Sequence, residues 1–273
     1  MAWANDGTDD SMYHTALASR SGILSAILAK SGAGAPRHIF EVDNGFALVY
    51  AGNREAGLEI VSNLQGGYKV EEVYFKPVAA CAFVQSAAQA ALELAAKRDY
   101  SLGDIREIQG RVFRQGKHYP GLDHHGPFGG VMQAQMSSPF TIASIIAKGS
   151  ISFEDFTKLD DPAVNALAAK VVLMDDEGAQ SRFPAEQIVH LKVVLKDGST
   201  RTASSNNPHF LTPQEVLAKT RLYLSQALSD GAASQMIDTV QAVEALDDVN
   251  AITEIISGNR KNLYPFTEAA SAN

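Results

Sequence analysis

Cysteine is nearly absent from this chain of 273 residues: Cys81 stands alone, so no disulfide can form within it. A reducing compartment is the simple reading, and the cytoplasm is the expected location. The first ten residues, Met1 to Asp10, hold neither Lys nor Arg and no apolar run, so they are neither a signal peptide nor an Arg-rich transit peptide. No apolar run approaches the roughly 20 residues that a membrane span needs, which removes the membrane as a partner. Positive charge is in deficit as well: 23 Lys and Arg face 31 Asp and Glu, for a net charge of −8. A nucleic-acid partner needs a basic face to neutralise phosphates, so that class is excluded too. The deficit does not exclude a small anionic substrate, because a few lysines in a pocket suffice. Internal repeats and low-complexity linkers are missing.

What remains is the composition of an ordinary globular protein, 45 % hydrophobic and 20 % charged, long enough for one large domain or two modest ones. Ile23, Leu24, Ile27 and Leu28 fall at helical spacing, which predicts a first helix over about Thr15 to Ser31. Its many Ala, Ser and Gly positions leave a small surface suited to an inner member of a helix bundle. A helix over about Arg54 to Leu64 follows, and Gly66-Gly67 marks a domain edge. Ala80 to Lys97 reads as a helix. Ile105 to Arg114 reads as a strand with Ile108, Gly110 and Val112 on one face. Gln115 to Gly130 reads as a long polar loop, Gln133 to Lys148 as a helix stopped by Gly149, and about Phe153 to Thr157 as a short helix capped by Ser152 and Asp155. Pro162 opens a helix that ends near Lys170 or Val171. Val189, Leu191, Val193 and Leu195 alternate with His190, Lys192 and Lys196 as in a half-buried strand, and Asp197-Gly198 turns it into a second strand over Arg201 to Ser204. Thr212-Pro213-Gln214-Glu215 is a strong helix start: cap, first-position proline, third-position glutamate. That helix runs to about Leu228, and a helical pair covers roughly Ala232 to Ile256. The last residues, Glu268 to Asn273, read as frayed.

The order predicts an α+β fold: a partial helical domain over 1–68 and 212–273, interrupted by an α+β lid domain over 69–211, with the chain returning to helices at its end.

Several segments together resemble the MmgE/PrpD family, the group of 2-methylcitrate dehydratase, cis-aconitate decarboxylase and iminodisuccinate epimerase. The run from His14 through Gly22 to Ala29 resembles the family's His-x-Gly-x-Ala-Ala-x-x-Gly helix. Glu41 to Phe46 resembles its Glu-Gly-x-x-Gly-Phe, with Val42 in place of the first glycine. Phe75-Lys76-Pro77-Val78-Ala79-Ala80-Cys81 resembles its Lys-Pro-Tyr-Pro-Cys-Cys-Arg. Gln133 to Ala143 resembles its Ala-Gln-Phe-Ser-x-Pro-Tyr run. Asp161-Pro162 with Leu167 to Val171, Phe183-Pro184, Leu195 to Gly198, and the Thr212-Pro213 helix complete the series in order. Motif matches of this kind gain their weight from order and spacing. The resemblance implies a long N-terminal helical segment that supplies an aspartate and histidines to the active site, and this chain is expected to lack that segment.

The resemblance also implies a reaction class. Family members act on small di- or tricarboxylates, with groups that grip carboxylates, a base that removes a proton beside one, and an acid that helps the leaving hydroxyl. It implies no metal and no organic cofactor. Lys76 takes the position of a pocket lysine and could pair with a substrate carboxylate; the ordinary alternative is a solvated lysine. Cys81 and Gln85 share a face four residues apart. There, Ala82 replaces a common arginine and Gln85 a common histidine, and Gln85 cannot act as a base. Cys81 is otherwise a small core residue. Gln135 and Ser137 are substrate-binding candidates whose alternative is helix capping. His14 is a catalytic candidate whose alternative is a packed histidine. Phe140 stands where relatives often have tyrosine, and Ser11 where they tend to have a basic residue.

Three further groups point to nothing chemical. His124 and His125, with Asp123 and His118 nearby, lack the regular spacing of a metal site. Gly126 to Gly130 is no phosphate loop. Asp9-Asp10 and Asp175-Asp176-Glu177 read as solvated turns.

Two readings follow. One is a lyase of the 2-methylcitrate or alkylcitrate dehydratase type. The other is a truncated, non-catalytic relative or half-subunit that needs a partner chain. By resemblance, the expected partner is a second copy in a homodimer or a homologous chain.

Overall fold

The computed structural model describes residues 2–8, 10–64 and 66–259. Glu268 to Asn273 and Asp9 lie outside them. The fold is α+β, in two compact units, Met1–His209 and Phe210–Asn273.

In the first unit a four-stranded sheet carries the core. Its strands are β1 (Ile105–Val112), β2 (Val171–Asp175), β3 (Val189–Leu195) and β4 (Thr200–Ser205), in the order β2-β1-β3-β4. β1 runs parallel to β2 and antiparallel to β3, and β3 pairs antiparallel with β4. Gly198, in the turn between β3 and β4, takes φ 87°, a left-handed conformation open to glycine at little cost. Ile108, Val112, Val171, Leu173, Leu191, Val193 and Ala203 are buried on one side of the sheet. Gly110 lies in the same layer because a Cβ there would stand 2.8 Å from Leu173 Cδ2 and 3.3 Å from Leu191 Cδ2.

Helices α1 (Ala2–Asp6), α2 (Asp10–Lys30), α3 (Phe46–Ala51) and α4 (Glu55–Asn63) precede the sheet. α5 (Gln85–Ala96), α6 (Arg114–His118), α7 (Val131–Met136), α8 (Ser138–Lys148), α9 (Pro162–Ala168) and α10 (Glu177–Arg182) follow before or between its strands. α5 packs on β3, β4 and α8, and α8 packs on α9 and β2. Ala87, Ala88, Ala90 and Ala91 of α5 are buried, so its backbone can come close to the sheet. Phe128, Phe140 and Phe156 pack in sequence, with ring centroids 4.9 and 5.8 Å apart. The second unit holds α11 (Pro213–Ala227), α12 (Asp230–Gln241) and α13 (Asn250–Asn259), packed around Leu228, Ala232, Met236 and Ile255. The Thr212–Glu215 capping box opens α11 as its sequence predicts.

Five expectations need correction. The helix predicted over Gln133 to Lys148 is two helices, α7 and α8, because Ser137 turns extended (ψ 118°) to cap the second and Pro139 follows within its first turn. Lys117 and His118 belong to a short helix, α6, inside the predicted polar loop. β2 and α10 follow the Pro162 helix where no element was predicted. Asp176 is not a solvated turn residue: it is 8 % exposed, and its carboxylate accepts the Ala179 N–H as the cap of α10. Finally, α2 is not an inner helix within the described chain, since none of its residues is buried.

Candidate functional site

Four residues singled out by the family resemblance, Lys76, Cys81, Gln85 and Gln135, meet at one short loop, 76–81, between the exposed segment at Phe75 and α5. Gln85, in the first turn of α5 and 1 % exposed, reaches back into that loop. Its Oε1 accepts the Val78 N–H at 3.1 Å, and its Nε2 donates toward the carbonyls of Val78 (3.1 Å), Ala80 (3.2 Å) and Cys81 (3.1 Å). Gln135 ties the same loop from α7. Its Nε2 donates to Ala79 O at 2.7 Å, and its backbone carbonyl accepts the Cys81 N–H at 2.9 Å. Lys76 Nζ donates to Ala80 O at 2.8 Å. The carbonyls of residues 78 to 81 therefore face side-chain donors, and the loop is fixed from three directions.

Lys76, Cys81, Gln85 and Gln135 are thus brought together. The arrangement divides their roles. Gln85 is enclosed and spends its amide on the backbone, so it shapes the loop. Lys76 is exposed and carries an ammonium with three donors, one of which goes to Ala80 O. Gln135 is half-buried, with its amide nitrogen on Ala79 O. Burial pushes the Cys81 thiol up, and the Phe83 N–H and the Lys76 ammonium offset this only in part. A thiol so placed stays protonated near neutral pH and is a poor nucleophile.

Ser137 and His14 lie elsewhere. Ser137 is fully buried; its Oγ accepts the Phe140 N–H at 2.9 Å, capping α8, and donates to His124 O, so both functions of the hydroxyl are spent on backbone. His14 sits exposed on α2. Phe140 is 1 % exposed and packs among aromatic rings.

The histidines of the 118–125 segment each have a protein partner. His118 Nε2 contacts both oxygens of Asp175, at 2.9 and 3.0 Å. His124 Nε2 lies 3.1 Å from Pro127 O. His125 uses both ring nitrogens, on Ala168 O and Asp123. Among the described residues no group of three His, Cys, Asp or Glu side chains could hold a metal ion, and no helix is long and apolar enough to cross a membrane. Lys117, His118, Tyr119, Asp123 and His124 line an open depression of about 370 Å³. Sequence reasoning missed the His118–Asp175 pair because β2, which carries Asp175, was not predicted.

The family model of the MmgE/PrpD C-terminal domain matches residues 78–245. That range holds Cys81, Gln85, Gln135 and Ser137 and begins two residues after Lys76. Human cis-aconitate decarboxylase is 25 % identical, over 93 % of this chain and 54 % of its own length. The mouse cis-aconitate decarboxylase is 23 % identical over the same shares. The chain spans about half the length of the curated relatives it matches.

Proposed function

The chain belongs to the MmgE/PrpD family, and on that premise we propose that it serves a lyase that eliminates water from a small di- or tricarboxylate of the 2-methylcitrate or alkylcitrate type. The observation that carries this reading is the convergence of Lys76, Cys81, Gln85 and Gln135 on the 76–81 loop. The loop gives Lys76 a fixed base from which its ammonium can grip a carboxylate. That grip also stabilises the negative charge that develops when the neighbouring C–H bond loses its proton. Gln135 lies beside it as a second polar contact. Gln85 and Ser137 act indirectly, by holding the loop and the start of α8. By the family resemblance, His14 is the proton-transfer candidate. A cytoplasmic, cofactor-independent enzyme fits this chemistry. Incubating the purified chain with 2-methylcitrate, longer alkylcitrates and cis-aconitate tests it: turnover of one of them is expected, and a folded sample inert toward all three, alone and with a homologous chain, overturns it.

One observation favours a second reading, in which the chain is a half-subunit whose site a partner completes. α2 runs for 21 residues without burying one of them. Met12, Tyr13, Leu17, Ile23, Leu24, Ile27 and Leu28 are each 49–65 % exposed. A helix draws most of its stability from packing an apolar face, and an exposed apolar surface of this extent marks an interaction site. The occupant we assign is a helical segment matching the part of the relatives that this chain does not span, on the same polypeptide or another; a second copy of the chain is the other outcome. Sizing the chain alone, and again with the first half of a full-length relative, separates the two.

A further inference from the structure

The side of the sheet opposite the core has a regular chemistry that the lyase reading does not use. Alternate residues of a strand point to the same side, so the register fixes what lies there. Gln109 pairs with Lys192, and Lys192 with Thr202; Arg111 pairs with His190, and His190 with Ser204. These six side chains form two rows of three across β1, β3 and β4, and they line a depression of about 240 Å³. Neighbouring strands lie roughly 4.8 Å apart, and two residues advance roughly 6.8 Å along a strand. The rows therefore span a patch about the size of a short dicarboxylate or a phosphate ester.

Each of the six can donate a hydrogen bond, and none is a carboxylate. That is unexpected for an outer face in a chain with 31 acidic and 23 basic residues. Two acids border the patch, and both are engaged. Asp176 Oδ2 pairs with Arg111 Nη2 at 2.9 Å while Oδ1 caps α10. Glu107, one row further along β1, accepts from Gln109 Nε2 at 3.3 Å. Arg111 spends part of its five-donor fork on Asp176 and keeps the rest. His190 Nδ1 lies 2.8 Å from Ser204 Oγ, which orients both. The Lys192 side chain has no ion pair or hydrogen bond among the described residues and stands exposed at the centre of its row.

We propose that this open face of the sheet is a binding site for a small organic anion, a carboxylate or phosphate, held between Lys192 and Arg111 with Thr202, Ser204 and His190 completing its hydrogen bonds. The site is separate from the 76–81 loop and independent of the lyase reading. An anion there bridges β1, β3 and β4, so its binding would stabilise the sheet.

Calorimetric titration of the full chain with inorganic phosphate and, separately, with succinate tests it. Saturable binding of at least one is expected, and whichever arm responds identifies the ligand chemistry. Lys192→Gln should weaken it about tenfold or more, the scale of a lost charge-assisted hydrogen bond. Thr202→Val, which keeps a strand-forming residue, should weaken it less. The titrations are made in the Lys76→Met background, which removes carboxylate binding at the 76–81 loop, so that failure of the lyase reading does not affect this result. Absence of saturable binding in both arms overturns the proposal. So does unchanged affinity in a folded sample when Lys192→Gln is added to that background.

Discussion

Replacing Gln85 with alanine should cost the first unit about 3 kcal/mol. The side chain is enclosed, and its Oε1 and Nε2 lie within 3.1–3.2 Å of four backbone groups of the 78–81 loop. An amide nitrogen has two hydrogens, so the three carbonyls share two donors, and with the Val78 N–H the loss is equivalent to about three hydrogen bonds at roughly 1 kcal/mol each. Orphaning the Val78 N–H and opening a void push the cost higher, while water entering the void lowers it. At a urea slope of about 2 kcal/mol/M, the midpoint should fall by roughly 1.5 M. Gln85→Glu should be worse, because it aims a carboxylate at three carbonyl oxygens. Gln85→His should recover little, since a neutral imidazole has one donor to offer. A Gln85→Ala variant within about 0.5 kcal/mol of the parent, the range of ordinary surface changes, would refute the claim that this side chain holds the loop.

Ser137→Ala should destabilise by about 1–2 kcal/mol, from loss of the α8 cap and of the bond to His124 O, with Ser137→Thr restoring much of it; urea melts check this. The Val164 N–H, with Lys148 and the Ala163 N–H, holds the Asp161 carboxyl below its usual range, and the Ala179 N–H and Arg111 do the same for Asp176. Because these folded-state values are depressed, their stabilisation is complete above the unfolded value of about 4 and is lost as pH falls through the folded ones. Melting temperature should therefore decline below about pH 4, and less steeply in Asp161→Asn, whereas an identical pH dependence in that variant contradicts the assignment. Cys81 should react with iodoacetamide at neutral pH more slowly than a free thiol, and more slowly still in Lys76→Met; a fast reaction contradicts the burial that raises it. Leu24→Glu on α2 should change the melting of the isolated chain by no more than about 0.5 kcal/mol but abolish association with a helical partner, and a large loss of stability in the chain alone would show that the face is already covered.

Periodicity and turn chemistry carried much of the fold. β3 alternates from Val189 to Val193 because one side is buried and the other wet there, and Asp197-Gly198 marks its turn. The Thr212 box marks α11 because each of its atoms has a defined partner. β2 was illegible for the opposite reason: Val171 to Met174 is an unbroken apolar run directly after a helix, and such a run reads equally as a helix end. The break at Ser137 was hidden because α7 and α8 are both apolar, and only the side-chain cap and Pro139 betray it. At the site, the resemblance found the loop but not the division of labour upon it. No sequence pattern says that Gln85 and Ser137 spend their polar atoms on the backbone, because that depends on bonds to residues 78–81 and 124. The outer row of His190 and Lys192 was visible in the alternation of β3; its partners Arg111 and Ser204 required the register.

The most direct measurement is a binding titration of the chain with a citrate-type tricarboxylate, compared with Lys76→Met and Gln85→Ala. The account expects saturable binding that falls about tenfold or more in Lys76→Met, where the ammonium is gone, and also falls in Gln85→Ala, where the loop is released. Equal binding by the parent and Lys76→Met, with both proteins folded, would contradict it.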